Sequence, residues 1–173
     1  MKKNVSNLMR LLSLTIVLAL IMPAITNAQA KANFAGSWAV NAAKSTPAPA
    51  AGGGGGGGAR MGGGDFVAAQ AANLLTVTST RTGQDGTATT TELKYTLDGK
   101  VSINTTRGGE SKSVATWSAD GKTLTIVTTA TFNDTERKTT EAWTLTDAKT
   151  LSRTSTRQGQ DGEVKTTRVY DKK

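Results

Sequence analysis

Near the end of this 173-residue chain, Arg168 and Tyr170 stand two positions apart in "TTRVYDKK". Residues two apart on a β-strand face the same side, and a guanidinium beside a phenol makes a charge-assisted clamp for a carboxylate. Other chemistry is sparse. The chain holds no His and no Cys, so the usual general base, the thiol nucleophile and the common transition-metal ligands are missing. Most carboxylates fall in turns, and Glu92, Glu136 and Glu141 share no spacing that commits two of them to one site. An acid/base pair would have to assemble in space. A calcium site from Asp85 and Asp161 is the sharpest metal reading, but one carboxylate per loop falls far short of the roughly six to eight oxygens calcium takes. The residues point to a protein that is not an enzyme, with no catalytic set, no metal and no cofactor.

The elements that would position Arg168 and Tyr170 are β-hairpins. From Leu74 onward, short runs rich in Thr, Val, Leu, Ile and aromatics alternate with turn signals at Gln84-Asp85-Gly86, Asp98-Gly99, Gly108-Gly109, Asp120-Gly121, Asn133-Asp134, Asp147-Ala148 and Gln160-Asp161-Gly162. Asp-Gly suits tight hairpins because its residues accept positive φ. These turns bound eight strands, and "GSWAVN" at Gly36 to Asn41 adds a ninth. Within strands the period is two: Leu124 and Ile126 alternate with Thr123, Thr125 and Val127, and Trp143 and Leu145 with Ala142 and Thr144. One face is therefore buried and the other is a Thr-rich solvent face. Trp117 and Trp143, each just before a turn, read as core anchors. Phe66 to Asn73, "FVAAQAAN", reads as one or two helical turns.

Successive hairpins with one buried face have long edges to protect, and closure removes them. The expected fold is all-β, an antiparallel up-and-down meander closed into a barrel of eight to ten strands, with a sandwich as the alternative. The phrase "TSTRTGQDG", Thr78 to Gly86, returns 76 residues later as "TSTRQGQDG", Thr154 to Gly162. In a meander every second turn lies at one end, so Asp85, Gly108, Asp134 and Asp161 share a rim. The two phrases are then equivalent hairpin tips there, each preceded by a strand ending in Arg, Arg81 or Arg157.

Residues 1–30 read as a secretory signal: Lys2, Lys3 and Arg10 make a basic start, Leu11 to Ile25 an apolar segment, and Ala28 to Ala30 a small-x-small cleavage site. The apolar run is shorter than the ~20 residues of a spanning helix, so cleavage after Ala30 leaves no integral membrane span. The mature chain, 31–173, is expected as one barrel domain and a monomer, periplasmic or secreted. Its formal charge falls from +8 to +5, with 18 basic against 13 acidic residues. Those charges are scattered, which argues against nucleic acid as a partner. Without cysteine, neither disulfides nor a lipid-anchored N-terminus can support the exported chain. Ser45 to Asp65, with seven consecutive glycines, reads as a flexible loop between the first and second strands. It lacks the Lys-Ser/Thr of a phosphate-binding loop.

The two ends carry a resemblance. "NFAGSWAVN", Asn33 to Asn41, is similar to the Gly-x-Trp opening strand of the calycins, which include lipocalins and intracellular fatty-acid-binding proteins. "TTRVYDKK" resembles the Arg-x-Tyr-x-Lys ending of the fatty-acid-binding branch. Gly36-Ser37-Trp38-Ala39-Val40-Asn41 followed by Lys44-Ser45 also looks like the opening of lipocalin-like domains of exported bacterial proteins. The resemblance implies a barrel around a cavity for a small hydrophobic or amphipathic, carboxylate-bearing molecule. Arg168 and Tyr170 would then point inward as carboxylate anchors, with Gly36 and Trp38 structural at the closed end of the barrel. The alternative is a non-catalytic envelope module that uses its Thr-rich, basic outer face, with a solidly packed interior.

Overall fold

The computed structural model describes residues 30–46, 64–83, 85–106, 109–132, 134–159 and 162–173. Residues 1–29, where the sequence reads as a secretory signal, and the body of the glycine tract, 47–63, lie outside the described residues. The strands are β1 (Gly36–Asn41), β2 (Phe66–Ala71), β3 (Leu74–Thr82), β4 (Ala88–Thr96), β5 (Val101–Thr106), β6 (Gly109–Trp117), β7 (Thr123–Phe132), β8 (Thr135–Asp147), β9 (Thr150–Gly159) and β10 (Gly162–Lys172). A single 3-10 turn, Ala42–Lys44, follows β1 and is capped by Asn41, whose Oδ1 accepts from Lys44 N.

All ten strands form one antiparallel sheet in the order β4-β3-β2-β1-β10-β9-β8-β7-β6-β5. Every neighbour is next in the chain except the pair β1–β10, which zips the two ends of the fold together through Trp38↔Lys172, Val40↔Tyr170 and their neighbours. The sheet thus curls into a nearly closed up-and-down barrel, at the upper end of the expected strand number, and the sandwich is excluded. Its remaining edges, β4 and β5, are joined by the Asp98-Gly99 hairpin and meet at a seam. There the Asn104 side chain substitutes for a strand, with Oδ1 accepting from Lys94 N at 2.7 Å and Nδ2 donating to Lys94 O at 3.0 Å. Ser102 Oγ likewise accepts from Thr96 N at 2.8 Å. These bonds satisfy edge groups that would otherwise lack partners.

The segment expected to be helical is β2 instead. Phe66 and Ala68 point inward and are buried while Val67 is half exposed, and the strand pairs with β1 and β3. Alanine favours a helix locally, but a short helix is costly to nucleate. Two flanking strands offer this segment a full hydrogen-bond ladder, and tertiary pairing overrides propensity. The chain then reverses at Ala72, which takes φ 48°.

The apolar core fills one end of the barrel. Trp38, Leu75, Tyr95, Leu124, Ile126, Trp143, Leu151 and Tyr170 are fully buried there. Residues 32–35 cross beneath them: Ala32 N donates to Gly121 O, and Gln70 bonds both Phe34 N and Ala32 O. This crossing seats Phe34 as a plug, stacked on Trp117 at 5.7 Å and edge-on to Trp143 at 5.7 Å. The Trp38 indole N–H donates to Phe34 O at 2.9 Å. Gly36 has φ +146°, and a Cβ there would collide with the Lys172 side chain, whose ammonium lies 5.5 Å from the centre of the Trp38 ring.

Candidate functional site

Strand register sorts the side chains above this core. In antiparallel pairs, directly opposed residues share a face, so positions can be followed from the buried Leu151 and Tyr170. Tyr170 pairs with Leu151, Arg168 with Arg153, Thr166 with Ser155 and Val164 with Arg157. On the other side of β9, Arg153 pairs with Trp143 and Arg157 with Thr139. By this register Arg168 and Tyr170 stand on the inner face, but in different settings. Tyr170 is buried, its ring edge-on to Phe66 at 5.0 Å. Arg168, two residues further from the closed end, is only partly buried.

Beside them lies a group that sequence reasoning missed. Arg153 is buried, with its guanidinium 4.2 Å from the centre of the Trp143 ring, 5.0 Å from that of Phe66 and 5.5 Å from that of Tyr170. Its Nη2 donates to Glu141 Oε2 at 2.9 Å, and the same oxygen accepts from Trp143 Nε1 at 3.0 Å. Burial works against the charge on Arg153, but the Glu141 carboxylate, helped by Tyr170 and Tyr95, outweighs it and raises the guanidinium above its ordinary value. Burial first, then the Glu141 charge, pushes the Tyr95 hydroxyl above its ordinary range. The signal for this group was available: Arg153 is two residues from Leu151, and Glu141 is two from Trp143, on the alternation that marks the core.

Towards the other end of the barrel the inner wall changes character. Ser79 and Thr91 pair across β3 and β4, Ser113 and Thr128 across β6 and β7, Thr128 and Thr139 across β7 and β8, and Thr166 and Ser155 across β10 and β9. Ser113 and Thr128 hydroxyls lie 2.9 Å apart. Beyond this belt of hydroxyls stand Arg81, opposite Thr89, Arg137, opposite Ala130, and Arg157. All five arginines in described strands thus face inward. Four of the five strand lysines, Lys94, Lys112, Lys138 and Lys165, occupy the alternate, outward positions. The fifth is Lys172 at the closed end.

Asp85, at the rim, binds within its own loop, accepting from Thr87 N and Thr87 Oγ1 at 3.0 Å each; these two bonds hold its carboxyl below the usual range. Asp161 lies outside the described residues. An open hollow of about 280 Å³, lined by Asp65, Val67, Thr78, Thr80 and Lys173 among others, sits on the outer side where β1 and β2 part. It is spanned by the Lys173–Asp65 ion pair at 2.6 Å and is separate from the arginine-lined wall.

No protein-family model matches this chain, and no curated protein matches it. Among solved structures, the chain is similar to zebrafish ileal bile acid-binding protein in complex with cholic acid, at 23% identity and a TM-score of 0.45, over 63% of this chain and 72% of that one. No described helix is long and apolar enough to cross a membrane.

Proposed function

We propose that this chain is an exported, non-catalytic barrel that binds a small amphipathic anion inside, with Arg168 as the polar anchor and Tyr170 beside it on the same wall. The observation that carries this reading is the partition of cations, arginine inward and lysine outward. Both residues serve solubility equally well on a surface, but only arginine offers a planar fork matched to an oxyanion. A wall of arginine above a packed aromatic floor suits a molecule with a charged head and an apolar part. Buffered calorimetry with dodecanoate below its micelle concentration tests it. Saturable 1:1 binding is expected, weakened about tenfold or more by Arg168→Gln, the worth of one charge-assisted hydrogen bond. Absence of binding, or binding indifferent to Arg168, would overturn the proposal. Export is tested by intact mass: removal of residues 1–30 leaves a chain beginning at Lys31.

A second reading is favoured by the outer face, where threonine pairs such as Thr80–Thr90 and Thr154–Thr167 hydrogen-bond at 3.0 Å and lysines stand between them. In that reading the barrel is an envelope interaction module. Salt-sensitive adhesion to envelope material, unchanged by Arg168→Ala, would support it over the first.

A further inference from the structure

We infer that the arginine-lined half of the barrel takes a head group carrying more than one negative charge, of the phosphate-ester class, rather than a lone carboxylate. The inference rests on the anion-binding reading above and names its ligand class. The repeated phrase is the first ground. Its two copies place Ser79 and Arg81 on the inner face of β3, and Ser155 and Arg157 on the inner face of β9. Those strands lie four places apart in a ten-strand order, on roughly facing walls. Duplication of a hairpin tip accounts for the turn residues; it also delivers the same inward Ser-x-Arg pair to both sides of one interior.

Charge matching is the second ground. Glu141 is already bonded to Arg153 and Trp143. Beyond it, no acidic residue occupies an inward strand position among the described residues, whereas Arg157 and Arg168 stand on the inner faces of the neighbouring strands β9 and β10. A single carboxylate brings one charge and two oxygens to that wall. A phosphate monoester brings about −1.5 to −2 at neutral pH and three terminal oxygens. It can bridge two guanidinium forks and still accept from hydroxyls such as Ser155 and Thr166, which lie between the Arg168 and Arg157 levels. The same chemistry belongs to a phosphorylated amphiphile and to a free, water-soluble phosphate.

The experiment compares dodecyl phosphate, dodecanoate and inorganic pyrophosphate by calorimetry on the purified protein at pH 8 and fixed ionic strength. Dodecyl phosphate is expected to bind about tenfold or more tightly than dodecanoate. Arg157→Gln should bring that ratio to about threefold or less, while the outward double variant Lys112→Gln/Lys165→Gln leaves it unchanged. Circular dichroism confirms that each variant is folded. Dodecanoate binding as tightly as the phosphate overturns this inference and leaves the amphipathic-anion reading standing, as does a preference that survives Arg157→Gln. Pyrophosphate binding without either amphiphile supports the phosphate class, assigns a water-soluble source and removes the amphipathic reading. No binding of any of the three overturns both.

Discussion

At the residue scale, the pair Arg153–Glu141 decides how the interior is organised. Moving an ion pair out of water carries a desolvation cost that its mutual attraction repays only with good geometry. Here the carboxylate oxygen also takes the Trp143 N–H, and three aromatic rings surround the guanidinium at 4.2 to 5.5 Å from their centres, adding attraction from their faces. Removing one partner leaves the other buried and charged, so Glu141→Leu is expected to cost ~3–5 kcal/mol. The double variant Glu141→Leu/Arg153→Met should recover most of that loss, because no charge is left to bury. Urea denaturation of wild type, both single variants and the double variant measures the cycle; equal losses in single and double variants would remove the pair from its structural role. This pair was legible only in part. Alternation from Leu151 and Trp143 gives the facing, but residue type argues for the surface, since Arg and Glu are rarely buried unless paired, and the pairing joins two strands that sequence cannot align.

At the element scale, the hairpins at the closed end share one device. Asp98, Asp120 and Asp147 each accept the backbone N–H two residues on, from Lys100, Lys122 and Lys149, at 3.2, 3.1 and 2.7 Å. This is the local Asx bonding that makes Asp a turn former, and it explains why these turns could be read directly from Asp-Gly-Lys and Asp-Ala-Lys. The bonds favour the ionised carboxylate. Asp98, held first by the Lys100 side chain, is lowered to about 2, and Asp120 and Asp147 are lowered by Ser118 and by the Lys149 amide respectively. A carboxyl lowered in the folded state contributes stability that is fully present above its unfolded value and is lost as pH falls through its folded value. The thermal midpoint is therefore expected to hold from neutral pH to about 4 and to fall between about 4 and 2. Asp98→Asn should flatten part of that fall while lowering the plateau. A midpoint that is flat down to pH 2 would show that these turns contribute nothing through ionisation. The element that sequence misjudged, β2, has no such turn signature at its start: its six residues, FVAAQA, carry alanine where a strand would usually show a β-branched residue, and only its pairing with β1 and β3 settles its state.

For the whole molecule, the proposed function divides the interior between stability and binding. The closed end is a packed aromatic and aliphatic core sealed by Phe34, while the arginine-lined wall brings like charges together on one surface. Like charges repel, and gathering them on one surface costs some stability. Two variants separate the halves. Phe34→Ala removes a fully buried ring in contact with Trp117 and Trp143 and should cost ~3–5 kcal/mol, the range for deleting a core aromatic. Arg157→Gln, on an exposed side chain, should change stability by no more than ~0.5 kcal/mol, or raise it by relieving repulsion. An anion bound to this half should reverse that order of importance: ligand binding only the folded state raises the unfolding midpoint as its concentration rises above Kd, and that rise should be present in Phe34→Ala and reduced in Arg157→Gln. Urea unfolding of the three proteins, with and without dodecyl phosphate below its micelle concentration, reads both effects at once. A ligand-induced rise that follows Phe34 rather than Arg157 would place binding in the aromatic floor and remove the division of the barrel into a stabilising end and a binding end.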